Sequence, residues 1–168
     1  MNFEKYIKDA KESKFGLWKL NFGLFRMIPF NKPHGIKILE LNDNSVKTII
    51  PLKRKNMNHI KGIHACGMAT AAEFASGFQL LTQLGPRKYR LIMESLEMVY
   101  HYQAKTAITA EFEAADEWIA AVIKKPLETS ESVLVKCEIM LYDTDRNHVA
   151  TGYTNWHIKP WAKVKTKL

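Results

Sequence analysis

A single acidic residue, Glu73, lies within a stretch of twenty residues, Ala65 to Leu84, that otherwise carries no charge. An isolated carboxyl among apolar side chains costs free energy unless it has a partner or a task. Desolvation raises the pKa of such a group and makes its carboxylate a stronger base. The carboxylate can attack a carbonyl carbon itself or deprotonate a water molecule that does so. A glutamate hydrogen-bonded to a neighbouring sheet is the structural alternative, and the sequence leaves all three open.

The residues just before this stretch can assist a carboxylate. If a helix begins near Ala65, the amides of Ala65, Cys66 and Gly67 lie in its first turn, where N–H groups lack acceptors and the helix dipole is positive. Such amides stabilise an oxyanion by about 3 kcal/mol per donor. His64 is expected to cap the helix or to orient the carbonyl. Asn58 is expected to donate from its side chain, to hold a water molecule or to cap a loop.

Two other chemistries use the cysteines and histidines. A Cys66 nucleophile with His64 as its base is disfavoured, because residues two apart on a helix point about 200° apart; Cys66 is instead expected to be a small buried residue. A zinc site could combine His59, His64 and Cys66 with His101 or Cys137. No paired Cys-x-x-Cys or His-x-x-x-His motif supports it, so no metal is expected.

The hydrophobic pattern predicts a helix, two strands, a buried central helix and four further strands. The predicted strands are 36–41, 46–52, 91–102, 105–115, 133–142 and 148–158. The stretch 116–124 is expected to be a short helix or a strand extension that Pro126 breaks. This order favours an α+β fold in which an antiparallel sheet wraps around one apolar helix.

The first thirty residues are predicted to form a helical extension, 1–30, ahead of a single domain, 31–168. The apolar positions Phe15, Trp18, Phe22 and Phe25 recur at three- and four-residue steps. Acidic residues interrupt the basic side of this region, so we expect it to pack on the core of the domain rather than on a membrane surface.

Composition limits the classes of function. The net charge is +8, but the 25 Lys and Arg are scattered, and no recognition helix or aromatic-basic sheet motif indicates nucleic-acid binding. No apolar run approaches the roughly 20 residues of a membrane span. The two cysteines do not make a disulfide framework, and the N-terminus does not resemble a secretory signal. A cytoplasmic protein without a membrane span is therefore expected.

The segment from Asn58 to Glu73 resembles the signature of the phenylacetate-pathway and 4-hydroxybenzoyl-CoA thioesterases of the hotdog-fold acyl-CoA thioesterase superfamily. In those enzymes an Asn precedes a His-Gly-Gly at the start of the central helix, and an Asp or Glu follows nine residues after the His. Here Asn58 lies six residues before His64, and Glu73 lies nine after it. Pro29-Phe30, the block 56–77 and Tyr142-Asp143 further resemble a hotdog branch known only as a domain of unknown function.

The resemblance implies hydrolysis of an acyl-CoA thioester by Glu73 in a homo-oligomer, a dimer or a dimer of dimers, with coenzyme A as part of the substrate and no separate cofactor. The acyl group would lie near Ser76 and Gly77. Two departures from the pattern are clear. His-Ala-Cys replaces His-Gly-Gly, and the side chains of Ala and Cys narrow the approach of the acyl group to the start of the helix. Gly77 stands where the 4-hydroxybenzoyl-CoA enzymes have a hydroxyl residue. The coenzyme phosphates are expected to meet four basic residues: Arg54, Lys55, Arg87 and Lys88.

The sequence also leaves three alternatives open. The chain could be a non-catalytic acyl-CoA or fatty-acyl binding module on the same fold. It could be a hotdog dehydratase, although the spacing of His and acid that those enzymes use is not found around His64. It could also be a membrane-surface adaptor that uses its N-terminal helix.

Overall fold

The computed structural model describes residues 3–165, and its elements follow the predicted order. The helices are α1 (Phe3–Glu12), α2 (Lys14–Met27), α3 (Asn31–His34), α4 (Ala65–Leu84), α5 (Asp116–Ile119) and α6 (Lys125–Thr129). The strands are β1 (Lys37–Leu41), β2 (Ser45–Ile50), β3 (Tyr89–Tyr100), β4 (Ile108–Glu113), β5 (Val133–Tyr142) and β6 (His148–Pro160). Short 3-10 helices occupy Arg54–Asn56 and Trp161–Lys163.

The six strands form one antiparallel sheet in the order β1-β2-β4-β5-β6-β3. β5 alternates buried and accessible residues, and β6 does so from Gly152 to Ile158, as expected for strands with one face on a core. β3, twelve residues long, pairs with β6 alone among the described strands, which leaves its other edge open. A long open edge is a ready partner for another strand.

The sheet wraps around α4, which confirms the predicted α+β architecture. Close approach depends on small residues: a Cβ atom on Gly152 of β6 would lie 2.9 Å from the Cβ of Ala72 on α4. Thr48 of β2 donates its hydroxyl to the carbonyl of Ala71, 2.9 Å away. The helix ends at Gly85, whose φ of 83° suits a glycine.

The inner side of α2 packs against strand β1. The side-chain amide of Asn21 donates to the carbonyl of Ile38 and accepts from its N–H, both at 2.9 Å. Leu20 and Leu24 on the same side are buried. This contact agrees with the expectation that the N-terminal region packs on the domain core, and the boundary at residue 30 stays a prediction. Within 3–165, no helix is both long and apolar enough to cross a bilayer.

The prediction that Pro126 breaks the chain after β4 is wrong. The helix that begins with α5 continues through a π-helical turn, Ala120–Lys124, into α6, where Pro126 lies in the first turn. A proline in a first helical turn removes no intrahelical hydrogen bond, because the N–H at that position has no acceptor in any case. Because the π-helical turn ends at Lys124, Pro126 lies at the start of α6 instead of ending the preceding helix.

Candidate active site

His64 caps α4 and engages two of the first-turn amides. Its Nδ1 accepts a hydrogen bond from the N–H of Cys66 at 3.1 Å, and its carbonyl accepts from the N–H of Gly67 at 2.9 Å. The acceptor role of Nδ1 places the proton of the neutral ring on Nε2. Within the described residues, the N–H of Ala65 has no acceptor. Of the three amides assigned to an oxyanion site, only that of Ala65 is thus available without a rearrangement.

Asn58 organises the loop that leads into α4. Its side-chain oxygen accepts from the N–H groups of Ile60, at 3.1 Å, and Gly62, at 3.0 Å. The loop needs this support because Lys61 adopts a left-handed conformation with a φ of 63°. The amide nitrogen of Asn58 makes one long contact, 3.4 Å to the carbonyl of Ile63. The oxygen of Asn58 is thus committed to the loop, while its N–H groups retain the capacity to donate.

A buried asparagine that the sequence analysis missed, Asn56, fixes the position of His64. Its carbonyl accepts from the backbone N–H of His64 at 2.7 Å. Its side-chain nitrogen donates to the carbonyls of His34 and Pro51, both at 2.8 Å, and its side-chain oxygen lies 3.0 Å from Nδ1 of His34. Asn56 therefore ties α3, the end of β2 and the start of α4 together. Only its proximity to Asn58 in the sequence could have pointed to it.

A cavity of about 260 Å³ opens beside the first turns of α4. Among the residues that line it are Phe30, Lys55, Met57, His64, Cys66 and Thr70. Sites for whole small molecules commonly enclose about 300–1,000 Å³. This cavity can therefore hold part of a ligand, such as a thioester and its neighbouring atoms, but not an entire acyl-CoA.

Thr70 is a second residue that the sequence analysis missed. Its hydroxyl donates to the carbonyl of Cys66 at 2.9 Å while the side chain borders the cavity. Its position, one helical turn after Cys66 and one before Glu73, could have identified it.

Glu73 lies one turn beyond Thr70 on the same side of α4, because residues three, four and seven apart share a helix face. It is half-buried, and burial raises the pKa of its carboxyl above the ordinary value. No described residue forms an ion pair or a hydrogen bond with its carboxylate. A half-buried carboxylate without a protein partner is uncommon and is a feature of functional sites.

Tyr100, at the end of the edge strand β3, was also missed by the sequence analysis. Its hydroxyl donates to the carbonyl of Ala65 at 3.1 Å. Burial, and next the nearby Cys66 side chain, raise the pKa of Tyr100 above its ordinary value, so its hydroxyl serves as a hydrogen-bond donor at neutral pH. This contact connects the free edge of the sheet to the helix start. The strand alternation alone does not reveal it, because it depends on how the sheet curves around α4.

Ser76 and Gly77, the proposed neighbours of the acyl group, face the indole of Trp156 on β6. The hydroxyl of Ser76 accepts from Nε1 of Trp156 at 3.0 Å and lies 3.0 Å from the hydroxyl of Thr154. A Cβ atom on Gly77 would lie 2.7 Å from two carbons of that indole. Ser76 is fully buried, so its hydroxyl serves the packing between helix and sheet in this structure.

The four basic residues assigned to coenzyme phosphates divide between the two ends of α4. Arg54 and Lys55 belong to the 3-10 helix next to the cavity, and Lys55 lines it. Arg87 and Lys88 follow the opposite end of α4. A helix of twenty residues is about 30 Å long. Within one chain, only the first pair lies near His64.

The expectation that Cys66 is buried is wrong. Its place in the first turn turns it toward solvent, whereas Cys137 on β5 is buried, and burial raises the pKa of Cys137 to about 12. Across residues 3–165, no three His, Cys, Asp or Glu side chains converge as metal ligands would.

Comparison with known proteins decides the family. Residues 16–158, most of the chain, match the domain of unknown function DUF4442. The chain belongs to the DUF4442 family. No protein of curated function matches the sequence.

Solved structures share the fold of this DUF4442 chain. A Pseudomonas aeruginosa protein named a "probable thioesterase" is 21% identical and has a TM-score of 0.75, with 81% of this chain and 90% of that one covered. A mutant thioesterase of the same species is 13% identical, with a TM-score of 0.69 and coverage of 86% and 94%. A mutant thioesterase of Staphylococcus aureus is 14% identical, with a TM-score of 0.64 and coverage of 79% and 99%. These similarities confirm the predicted hotdog fold.

Proposed function

We propose that this DUF4442 protein hydrolyses an acyl-CoA thioester with Glu73 as its catalytic carboxylate. The observation that carries the proposal is the state of Glu73: its side chain is half-buried, its pKa is raised and it has no partner within residues 3–165. Glu73 does not itself line the cavity, but helix spacing places it on the same face of α4 as Cys66 and Thr70, which do. A structural glutamate would have a hydrogen-bond donor, because burying an unpaired carboxylate costs stability. The absence of a donor among residues 3–165 argues against that role.

In the general-base route, Glu73 accepts a proton from a water molecule whose oxygen attacks the thioester carbonyl carbon. The carbon–sulfur bond then breaks, and the proton on Glu73 passes to the departing thiolate. In the nucleophilic route, Glu73 attacks the carbon itself, the carbon–sulfur bond breaks, and the coenzyme A thiolate leaves and takes a proton from solvent. Water then hydrolyses the resulting anhydride, which releases the acid and restores the carboxylate of Glu73. Both routes develop negative charge on the carbonyl oxygen, which the free amide of Ala65 and the side-chain amide of Asn58 are suited to stabilise.

The Cys66 amide joins this set of donors only if the His64 ring turns away. Nδ1 of His64 accepts its hydrogen bond in the present conformation. A carbonyl oxygen that develops full negative charge is a stronger acceptor than a neutral imidazole nitrogen. We therefore propose that substrate displaces the His64 ring and that Nε2 or the backbone of His64 then orients the acyl group.

The spacing of two substituted residues in a structural relative supports the pairing of Asn58 with Glu73. The Staphylococcus aureus thioesterase was crystallised as a glutamine-to-alanine variant and as a glutamate-to-alanine variant, at positions fifteen residues apart. Asn58 and Glu73 are separated by the same fifteen positions. Asn and Gln carry the same amide group, so the same donor would precede the acid in both chains.

The open edge of β3 supports a homodimer that completes the site. The residues of β3 that face α4 stay accessible in the single chain, among them Met93, Leu96, Met98 and Tyr100. A second copy paired along β3 would cover them and enlarge the cavity toward the size of an acyl-CoA site. Sedimentation equilibrium should give twice the 19.4 kDa of one chain or a multiple of it; a monomer at micromolar concentration would contradict the shared site.

The position of Arg54 and Lys55 beside the cavity makes them the better candidates for the coenzyme phosphates. Arg87 and Lys88 could reach the same coenzyme only from another subunit. We further propose a cytoplasmic location, which the free and exposed Cys66 supports.

Binding without turnover is a second candidate, and the capping of the Cys66 amide favours it. If the His64 ring stays in place, the oxyanion loses one of its helix donors. Such a protein would retain acyl-CoA near α4 without cleaving it.

A panel of acyl-CoA esters, with the released thiol detected by a chromogenic reagent, separates these candidates. Cys66 is exposed, so a reaction without substrate must be subtracted. Turnover that disappears in Glu73→Ala supports hydrolysis. Saturable binding without turnover in the wild-type protein supports the second candidate.

A further inference from the structure

Helix α2 exposes an aromatic face to solvent. Phe15, Trp18 and Phe22 are 63%, 59% and 49% exposed, and their spacing of three and four residues places them on one side of the helix. The opposite side, with Leu20 and Leu24, is buried against the domain. The helix is thus apolar on both sides, although surface helices of soluble proteins normally carry polar residues outside.

The three rings form a continuous ladder. Phe15 and Trp18 stack with their centroids 5.8 Å apart, and Trp18 and Phe22 stack at 5.7 Å. The ammonium of Lys19 lies 4.3 Å from the ring centroid of Phe15, and the guanidinium of Arg26 lies 4.7 Å from that of Phe22. Cations therefore border the ladder at both ends.

No acidic residue lies on α2. The acids of this region, Glu4, Asp9 and Glu12, all belong to α1, and Glu12 faces Lys8 on that helix. Lys14 and Lys37 border a groove beside Trp18 and Phe22, which extends the positive rim. The partner of this face must accept aromatic side chains and must carry negative charge.

A second copy of the chain does not meet the charge requirement. A symmetric contact through the ladder would bring Lys19 and Arg26 toward the same two cations of the other copy, and like charges at an interface oppose association. An anionic bilayer meets both requirements, because aromatic rings settle at the level of the lipid headgroups and Lys and Arg are attracted to anionic lipids.

We propose that the outer face of α2 docks this protein on the surface of an anionic lipid bilayer. The helix lies parallel to the membrane plane, with the ladder among the headgroups and the cations at the phosphate level. Phe30, 61% exposed and three residues past the end of α2, lines the cavity beside α4. The chain therefore passes within three residues from the docking helix to the wall of the cavity.

Vesicle co-sedimentation tests this docking with the full chain. Vesicles of phosphatidylcholine with one quarter phosphatidylglycerol should bind the wild-type protein at least about tenfold more strongly than phosphatidylcholine alone, and added salt should weaken the binding. Equal binding to both vesicles, or binding to neither, would overturn the proposal.

Two variants separate the apolar and the charged contributions. Trp18→Gln/Phe22→Gln should lower the partition coefficient on anionic vesicles by about tenfold or more, and Lys19→Gln/Arg26→Gln should remove most of the preference for anionic lipid. The matched control is Leu134→Gln, because Leu134 is 51% exposed on the strand β5; it should bind as the wild type does. Wild-type binding by the Trp18→Gln/Phe22→Gln variant would refute the docking face.

Quenching of tryptophan fluorescence by brominated lipid gives a readout that does not require a loss of binding. Of the four tryptophans, Trp18 is exposed, Trp118 and Trp161 are half-buried and Trp156 is buried. Most of the quenched signal should therefore come from Trp18 and should disappear in Trp18→Phe while vesicle binding persists. The wild type could instead fail to bind vesicles while the Trp18→Gln/Phe22→Gln variant shows a lower mass in sedimentation than the wild type. That result would mean that the face contacts a second copy of the chain, and it would overturn the proposal.

Discussion

The indole N–H of Trp156 donates to the hydroxyl of Ser76 across 3.0 Å, one helical turn beyond Glu73 on α4. The same N–H also lies 3.0 Å from the hydroxyl of Thr154. This buried junction joins the central helix to strand β6 next to the candidate acid. The junction sets the position along α4 at which strand β6 crosses the helix.

We expect Ser76→Ala to lower the free energy of unfolding by about 1–2 kcal/mol, because the indole and Thr154 each lose a buried hydrogen-bond partner. The value lies at the lower end for buried bonds, since Trp156 keeps its contact with Thr154. Urea unfolding measures it, with the exposed Thr144→Ala as the control. An unchanged midpoint would contradict the role of Ser76 in this junction.

Gly77→Ala should destabilise the protein by about 1–3 kcal/mol, because its new Cβ would meet the anchored indole of Trp156 at 2.7 Å. This cost exceeds the gain of about 1 kcal/mol that alanine brings to a helix interior. Gly23→Ala is the matched control, since Gly23 lies in the interior of α2 beside an open groove. Thermal unfolding should move down for the first variant and not for the second.

The raised pKa of Glu73 has a consequence for stability. The folded chain binds more protons than the unfolded chain between the ordinary and the raised pKa, so the free energy of unfolding falls as pH increases through that interval. Glu73→Gln, a neutral shape mimic, should therefore be more stable than the wild type at neutral pH.

This advantage should vanish once the pH is below about 4.3, the ordinary pKa of a glutamate. Unfolding curves at several pH values test the sign, with the exposed Glu128→Gln as the control. If the free energy of unfolding of the wild type instead rises relative to that of Glu73→Gln as pH increases, the carboxylate is not buried without a partner.

Asn58→Asp separates the loop role of this residue from its role as a donor. The variant keeps an oxygen for the N–H groups of Ile60 and Gly62 but has no N–H of its own. We expect the thermal midpoint to change little and turnover to fall about a hundredfold, the usual effect of removing one oxyanion donor. Asn58→Ala should lose both stability and turnover. Full activity in Asn58→Asp would restrict Asn58 to the loop.

Local sequence patterns predicted the architecture well. The apolar stretch from Ala65 to Leu84 gave the central helix with its bounds, because an uncharged run ended by Gly85-Pro86 has few other solutions. The strand alternation predicted the six strands and their order along the chain, but not the order in which they pair within the sheet. Pro126 was misread because a proline in the first turn of a new helical segment has the same sequence appearance as one that ends a helix.

The candidate site was predictable only where its residues are near in sequence. Asn58, His64 and Glu73 follow from a motif, and Thr70 could have been found by helix spacing. Tyr100 and Trp156 reach α4 from distant strands, and their contacts depend on sheet curvature. The hydrogen bond from the Cys66 N–H to Nδ1 of His64 depends on the rotamer of the His64 side chain. No rule of sequence spacing specifies that rotamer.

We propose that Glu73 acts on the thioester rather than supporting the fold. The most direct measurement compares Glu73→Gln with the wild type and with Glu128→Gln, using an acyl-CoA that the wild type cleaves. Turnover should fall at least about a hundredfold in Glu73→Gln alone, while its dissociation constant for the same ester stays within about threefold. Undiminished turnover in a folded Glu73→Gln protein would contradict the account.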